Sequence, residues 1–220
     1  MPPTILLTRP EAASRRFAAR LAPLGLPVVI SPILCILPLP HDRAAVAQAR
    51  GLVFTSAHGV AAAGPGQGRP AICVGPATAR DARQAGYEVT EGPGDALGML
   101  PLLRDLGPGW LHVHGAHVAR ELPLPGIAVY DQQAQPLSRA AQDLLTGAGA
   151  VILPLFSPRS ARLLAEAAAG GRAPLWLAPI SPAAAAAWSG PLARQVVAQS
   201  PDAAGVACAV ESLLAAEQTR

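Results

Sequence analysis

Lysine is absent from this 220-residue chain, and so is asparagine; all 17 of its basic residues are arginine. A GC-rich coding bias accounts for the arginine, but the missing lysine is decisive for chemistry. Schiff-base catalysis and P-loop phosphate binding both require that side chain, so both are excluded. The net charge is only +3 and the arginines are dispersed, with no basic run. That argues against a nucleic-acid-binding face, while a few arginines and backbone N–H groups suffice for a small polyanion. Cysteines are few and odd in number: Cys35, Cys73 and Cys208 lie far apart in apolar surroundings, without a CxxC pair. No disulfide framework is expected, and buried thiols in a reducing compartment are. Long apolar runs are also missing. The window from Leu26 to Pro40 is interrupted by Pro27, Pro32, Pro38 and Pro40, whereas a membrane span needs about 20 unbroken apolar residues. The first residues show no basic stretch followed by an apolar core, so no signal peptide is read and a cytoplasmic location is expected.

What the chain does have is an echo. Gly51-Leu-Val-Phe-Thr-Ser-Ala-His-Gly59, Ile72-Cys-Val-Gly-Pro-Ala-Thr-Ala-Arg80 and Glu91-Gly-Pro-Gly-Asp-Ala-Leu97 form one series. Ala150-Val-Ile-Leu-Pro-Leu-Phe-Ser-Pro-Arg159, Leu175-Trp-Leu-Ala-Pro-Ile-Ser-Pro182 and Ser200-Pro-Asp-Ala-Ala-Gly205 form a second. In each, an apolar β-type run ends in a hydroxyl or Pro/Gly turn and a helical pattern follows. A repeated strand–turn–helix unit implies two similar α/β lobes with polar groups at the strand ends.

Predicted strands are Thr4–Thr8, Pro27–Ile30, Leu52–Phe54, Ala71–Val74, Tyr87–Thr90, Leu111–His114, Val151–Leu155, Leu175–Ala178 and Gln195–Ala198. Between them, helical spacing is read over Glu11–Leu24 and from starts near Ser56, Pro76, Asp95, His117 and Asp202. Single helices between short strands specify parallel sheets with right-handed crossovers. Two extended, proline-flanked segments, Ile33–Leu39 and Ile127–Gln135, bracket the middle of the chain and suit a two-stranded antiparallel hinge. The expected fold is therefore α/β: two flavodoxin-like or Rossmann-like lobes with parallel sheets, joined by that hinge. Residues 1–32 plus 137–220 would form a discontinuous first domain, 41–126 an inserted second one, and 33–40 with 127–136 the hinge strands.

Leu6-Leu-Thr-Arg-Pro10, Leu52-Val-Phe-Thr-Ser56, Val74-Gly-Pro-Ala-Thr-Ala79 continuing to Gly86, Val129-Tyr-Asp131 and Phe156-Ser-Pro-Arg-Ser160 occur in this order along nearly the whole chain. As an ordered set they resemble the uroporphyrinogen-III synthase family. One turn departs from the pattern: the family usually has glycine and paired threonines where this chain has Ala178-Pro-Ile-Ser-Pro182, in which Ser181 keeps one hydroxyl. The resemblance implies a monomeric, cofactor-free, bilobal lyase of haem-type tetrapyrrole synthesis. Its substrate would be hydroxymethylbilane, a linear octacarboxylate, received by transient handover from the upstream deaminase, with no nucleic acid or membrane partner. The product would be uroporphyrinogen III, closed with ring D inverted and water lost.

Ligands of parallel sheets bind beyond the strands' carboxyl ends. Those ends carry Thr55 and Ser56, Gly75 and Thr78, Gly94, Ser157 and Ser181. Several of these adjoin helix starts, where unpaired N–H groups and the helix dipole attract carboxylates. Taken singly, each hydroxyl reads better as a helix N-cap; their recurrence favours substrate contact for the set. Arg9, at the end of the first strand, could pair with a substrate carboxylate or serve structure, and Arg120 and Arg159 are weaker versions of the same idea. Tyr130 is the candidate acid for departure of the hydroxyl, since an ordinary phenol keeps its proton at neutral pH; its alternative is packing in the hinge.

Other motifs are discounted. His112-Val-His-Gly-Ala-His117 lacks a third ligand of Asp, Glu or Cys type nearby in sequence, so no metal is expected and His114 is read as a substrate contact. Gly92-Pro-Gly-Asp-Ala-Leu-Gly98 has the wrong spacing for a dinucleotide fingerprint, with no acidic residue ending a following strand. No Gly-x-Ser-x-Gly elbow exists, which removes the usual α/β-hydrolase reading. The rival of another class is a two-lobed protein that binds a small anion or tetrapyrrole without chemistry; a nucleotide enzyme is a weaker third.

Overall fold

The computed structural model describes residues 2–118 and 120–218. Two compact units emerge, Met1–Cys35 with Ala134–Arg220, and Ile36–Gln133. In chain order the strands are β1 (Thr4–Leu7), β2 (Val28–Ile30), β3 (Leu34–Pro38), β4 (Gly51–Phe54), β5 (Pro70–Cys73), β6 (Glu88–Glu91), β7 (Trp110–Gly115), β8 (Gly126–Ala134), β9 (Val151–Leu155), β10 (Leu175–Pro179) and β11 (Arg194–Gln195). The helices are α1 (Glu11–Leu21), α2 (Arg43–Gln48), α3 (Ala57–Ala63), α4 (Pro76–Gln84), α5 (Leu100–Leu103), α6 (Arg139–Thr146), α7 (Pro158–Ala168), α8 (Pro182–Ala186) and α9 (Ala203–Gln218).

The first unit is a five-stranded parallel sheet in the order β11-β10-β9-β1-β2. Its central strands are buried along their whole length because helices cover both faces. The period-two alternation of a strand sorts their side chains between the faces. Ile5, Leu7, Ile152 and Trp176 meet Phe17 and Leu21 of α1 and Val206, Val210 and Leu213 of α9. Leu6, Leu153, Leu155 and Leu177 meet Leu145 of α6 and Leu164 of α7 on the other side. Truncating one of these fully buried leucines to alanine costs about 2–5 kcal/mol.

The second unit has the order β3-β8-β7-β4-β5-β6. Four of its strand pairings are parallel. β3 lies antiparallel to β8 at the edge: Leu39 N–H donates to the Val129 carbonyl (2.9 Å) and Gln135 N–H to that of Ile33 (3.0 Å). The antiparallel pair expected from the two proline-flanked segments is present, built into this sheet, with β8 also joined to β7. Phe54, Val60, Ala79, Ala82 and Val113 pack one face, and Val53, Ile72, Met99, Leu103 and Leu122 the other.

Three local expectations need correction. The helix expected at Asp95 begins only at Leu100, because the Asp95 carboxylate accepts from Gly98 N–H at 2.8 Å and closes a turn instead. No helix starts at His117; the described residues there are bends. The short α2 escaped the periodicity argument, although its cap is legible: Asp42 accepts from Ala45 N–H at 3.0 Å.

Candidate active site

Numbered within its own unit, the first sheet runs 2-1-3-4-5 and the parallel part of the second runs 3-2-1-4-5. Both are doubly wound orders, whose ligand crevice lies where the order reverses. In the first unit that point falls between β1 and β9, and in the second between β4 and β7.

At the first of these, the β1–β9 ladder registers only Thr4 with Val151 and Ile5 with Ile152, whereas β10 follows β9 to its end. Pro154 has no N–H to extend a ladder. The ladder stops short of both carboxyl ends, and Arg9 occupies that level. Its guanidinium carbon lies 4.0 Å from the centre of the Phe156 ring. Burial, with a smaller contribution from Arg16, lowers the Arg9 pKa from its usual value. Ser157 follows directly as the N-cap of α7, accepting from Ser160 N–H at 3.1 Å. Ser181 caps α8 in the same way, accepting from Ala184 N–H at 3.3 Å.

In the second unit Ser56 caps α3, its hydroxyl accepting from His58 N–H at 3.2 Å. Ser56, Ser157 and Ser181 thus spend a lone pair on capping. Ser56 and Ser181 each keep an O–H that can donate to a carboxylate, whereas the Ser157 hydroxyl lies 2.8 Å from that of Ser160 and must turn from it to do so. Thr55, the first polar residue beyond β4, shares a 3.0 Å hydrogen bond with His112 Nε2. His112 is only 3 % exposed; burial first, and the neighbouring His114 second, push its pKa down to about 4. The ring is therefore neutral at pH 7. His114 Nδ1–H donates to the Gly115 carbonyl at 2.8 Å, and the two imidazoles lie 4.7 Å apart.

Tyr130 sits on β8 with 5 % of its surface exposed. It meets the His58 ring edge-on at 5.5 Å, close enough to Gly115 that a Cβ there would fall 3.0 Å from its hydroxyl oxygen. His117 Nε2, just after β7, lies 3.5 Å from a carboxylate oxygen of Asp131 on β8. Thr78 lies in the first turn of α4 and is 6 % exposed. Gly75, the N-cap of α4, and Gly94 are packed against each other: a Cβ on Gly75 would lie 3.0 Å from Gly94 Cα. Arg159 lies in the first turn of α7, and Arg120 is exposed on the loop after β7.

The structure thus brings Thr55, Ser56, His114 and Tyr130 to one strand-end region and Arg9 and Ser157 to another. Gly75, Thr78 and Gly94 stand at the neighbouring β5 and β6 ends, and Ser181 at that of β10. Sequence reasoning missed His112 and Phe156 as partners of the predicted residues, because His112 lies 57 positions from Thr55 and only the β4–β7 pairing joins them. Two concavities of the second unit, about 280 Å³ beside α3 and α4 and about 600 Å³ around His41, Gln67 and Arg69, contain none of the predicted site residues. Among the described residues, no group of three His, Cys, Asp or Glu side chains is placed to hold a metal ion.

Fold and rims define a protein of two doubly wound, largely parallel α/β units with polar strand ends. A solved uroporphyrinogen-III synthetase from Helicobacter pylori is 15 % identical, with a TM-score of 0.62, and the match covers 97 % of this chain and all of that one. A mutant uroporphyrinogen III synthase from the extremely thermophilic bacterium Thermus thermophilus is 16 % identical, with a TM-score of 0.57 and full coverage of both chains. At such identities the likeness speaks for the fold. No curated protein matches the chain. The model of the family described as Uroporphyrinogen-III synthase HemD matches residues 15–208. The chain belongs to the uroporphyrinogen-III synthase family, the cyclising lyases of tetrapyrrole synthesis, which act on a small-molecule tetrapyrrole. Among the described residues, no helix is long and apolar enough to cross a membrane.

Proposed function

We propose that this chain closes hydroxymethylbilane to uroporphyrinogen III, and that its strand-end residues do the work of holding and reacting. Ring A loses its hydroxyl as water, leaving an azafulvene. The substituted α-carbon of ring D attacks it, and the spiro intermediate breaks and recloses with ring D inverted. Left alone, the substrate closes without inversion to the type I isomer. The enzyme's task is therefore chiefly geometric: it must favour attack by the substituted carbon. Tyr130 supplies the proton that leaves with the hydroxyl. Arg9, the O–H groups of Thr55, Ser56, Ser157 and Ser181, the α4 entrance at Gly75 and Thr78, the Gly94 turn and His114 take the acetate and propionate groups.

The observation that carries this reading is the family match over residues 15–208, and the hydroxyl-lined switch points supply chemistry suited to a polyanion. The protein acts as a cytoplasmic monomer, and the labile substrate reaches it by transient handover from the deaminase that makes it. The test is to supply hydroxymethylbilane freshly made by that deaminase, oxidise the products and resolve the uroporphyrin isomers. Type III in excess is expected. Type I alone at the spontaneous rate would refute the synthase reading and leave a tetrapyrrole-binding protein.

A further inference from the structure

A buried imidazole with no assigned task lies directly behind one of the rim hydroxyls. Val53 and His112 are register partners across the parallel β4–β7 pair. Thr55 and Val53 share a strand face by the period-two rule, and the Thr55 hydroxyl meets His112 Nε2 at 3.0 Å. This contact stands at the β4–β7 reversal point, where the order of the sheet opens a ligand crevice. His112 has almost no exposed surface, so it cannot itself take a large carboxylated ligand. It can only act through what it touches.

We propose that His112 is a positioning residue: its Nε2–H donates to the Thr55 oxygen and turns the threonine's own proton outward, towards a substrate carboxylate. The inference rests on the synthase reading above and adds a residue to it. A threonine hydroxyl on its own is a free rotor with one donor and two acceptor positions. A neutral imidazole carries one N–H and one lone pair, so the ring's tautomer decides which way the hydroxyl points. With Nε2–H donating, the hydroxyl's remaining capacity includes its proton, which suits a carboxylate. With the opposite tautomer, the hydroxyl would spend its proton on the ring and present only lone pairs, which repel a carboxylate. The low dielectric around the pair strengthens the bond and makes it expensive to leave unmade.

The test combines kinetics with a measurement that needs no substrate. Turnover of hydroxymethylbilane and the isomer ratio are measured for wild type, H112L, H112Q, T55V and the T55V/H112L double variant, with circular dichroism confirming the fold. Because the contact is to a peripheral carboxylate, its loss affects binding of substrate and transition state alike. H112L is expected to raise KM roughly tenfold with kcat changed less than about twofold. The double variant should be no worse than T55V, since coupled residues are not additive. H112Q, whose amide nitrogen can reach the Nε2 position, should recover most of the loss. Multiplicative losses in the double variant, or H112Q as impaired as H112L, would overturn the proposal. If H112L does not fold, H112Q and T55V decide by the same KM criterion. Long-range ¹H–¹⁵N spectra of histidine-labelled protein read the ring directly, with H112Q identifying its signals. A single Nε2–H tautomer that becomes mixed in T55V is expected, and a mixed or Nδ1–H ring in wild type would overturn the proposal. If wild type yields type I alone, the synthase reading fails, and the spectra still decide the relation of His112 to Thr55.

Discussion

The guanidinium carbon of Arg9 lies 4.0 Å from the centre of the Phe156 ring, and that ring meets Phe17 edge-on at 5.0 Å. The cation at the end of β1 thus lies over an aromatic pair rooted in the first unit's core. Stacking uses the guanidinium's face and leaves its N–H edge for a planar carboxylate. Burial lowers the Arg9 pKa, but a guanidinium stays protonated at neutral pH. Lysine keeps the charge but loses both the stack and the fork. Arg9→Lys is therefore expected to lower kcat/KM about tenfold, and Arg9→Gln about 10–100-fold, as befits a charge-assisted hydrogen bond. Phe156→Leu should cost less than Arg9→Gln. Steady-state kinetics with wild-type-like thermal unfolding as a control checks the series; an Arg9→Gln variant with unchanged kcat/KM would leave Arg9 a structural residue.

Gly94 adopts φ +110°, which side-chain-bearing residues rarely occupy, and donates its N–H to the Val74 carbonyl at 2.7 Å. Its Cα is what a Cβ on Gly75 would strike. Gly94→Ala is expected to destabilise by about 1–3 kcal/mol through backbone strain. Gly75→Ala should also destabilise, since the obstacle is backbone and not a side chain that can swing aside. Urea unfolding measures both. An unchanged midpoint for Gly94→Ala would mean the turn relaxes freely.

His112 makes stability depend on pH with a definite sign. Its folded pKa of about 4 lies below the ordinary value of 6.5. As pH falls through 6.5 the unfolded chain takes up a proton that the folded ring refuses until about pH 4. Stability contributed by the neutral ring is thus complete above 6.5 and lost progressively down to 4, at up to about 1.4 kcal/mol per pH unit. The neighbouring His114 adds to the lowering at His112, and ordinary carboxylates titrate near the lower end of the window. Comparison of wild type with H112Q removes their contribution. The difference in unfolding free energy should slope between pH 6.5 and 4 and be flat above; a flat difference throughout would mean that the ring accepts its proton without penalty.

Tyr130 carries the sharpest test of the chemistry. General acid catalysis contributes about 10²–10⁴-fold, so Tyr130→Phe should lower kcat by roughly 10²-fold with KM little changed. The ring's contacts with His58 and Gly115 survive in phenylalanine, which keeps the comparison clean. Unchanged turnover would assign Tyr130 to packing.

The short continuous apolar runs made the strands legible, since parallel strands covered on both faces must be apolar throughout. β9 was predicted to the residue, and β4 and β10 to within one. The rim hydroxyls were legible for the same reason: Thr55, Ser157 and Ser181 are polar residues just beyond an apolar run. What they bond to was not. The Thr55–His112 contact follows from β4 pairing with β7, and the Arg9–Phe156 stack from β1 lying beside β9; both are long-range consequences of strand order. The segment from Asp95 misled because an Asp followed by apolar residues reads as a helix start, while Gly98 let the same carboxylate close a local turn.

Ser157 is where capping and substrate contact can be separated by experiment. Its oxygen accepts from Ser160 N–H at 3.1 Å and lies 2.8 Å from the Ser160 hydroxyl oxygen. An N-cap serine replaced by alanine costs about 1 kcal/mol, whereas glycine costs only a few tenths, because glycine leaves the cap backbone solvated. A hydroxyl that donates to substrate is missed equally in both variants. Capping alone therefore predicts that Ser157→Ala is less stable than Ser157→Gly and that both keep wild-type KM. Contact with a substrate carboxylate predicts the same stability order together with an equal rise in KM, about 3–10-fold for one hydrogen bond of roughly 1 kcal/mol. The second pattern is expected, since Ser157 stands immediately after Phe156 at the β1–β9 reversal point; KM values matching wild type in both variants would remove Ser157 from the site.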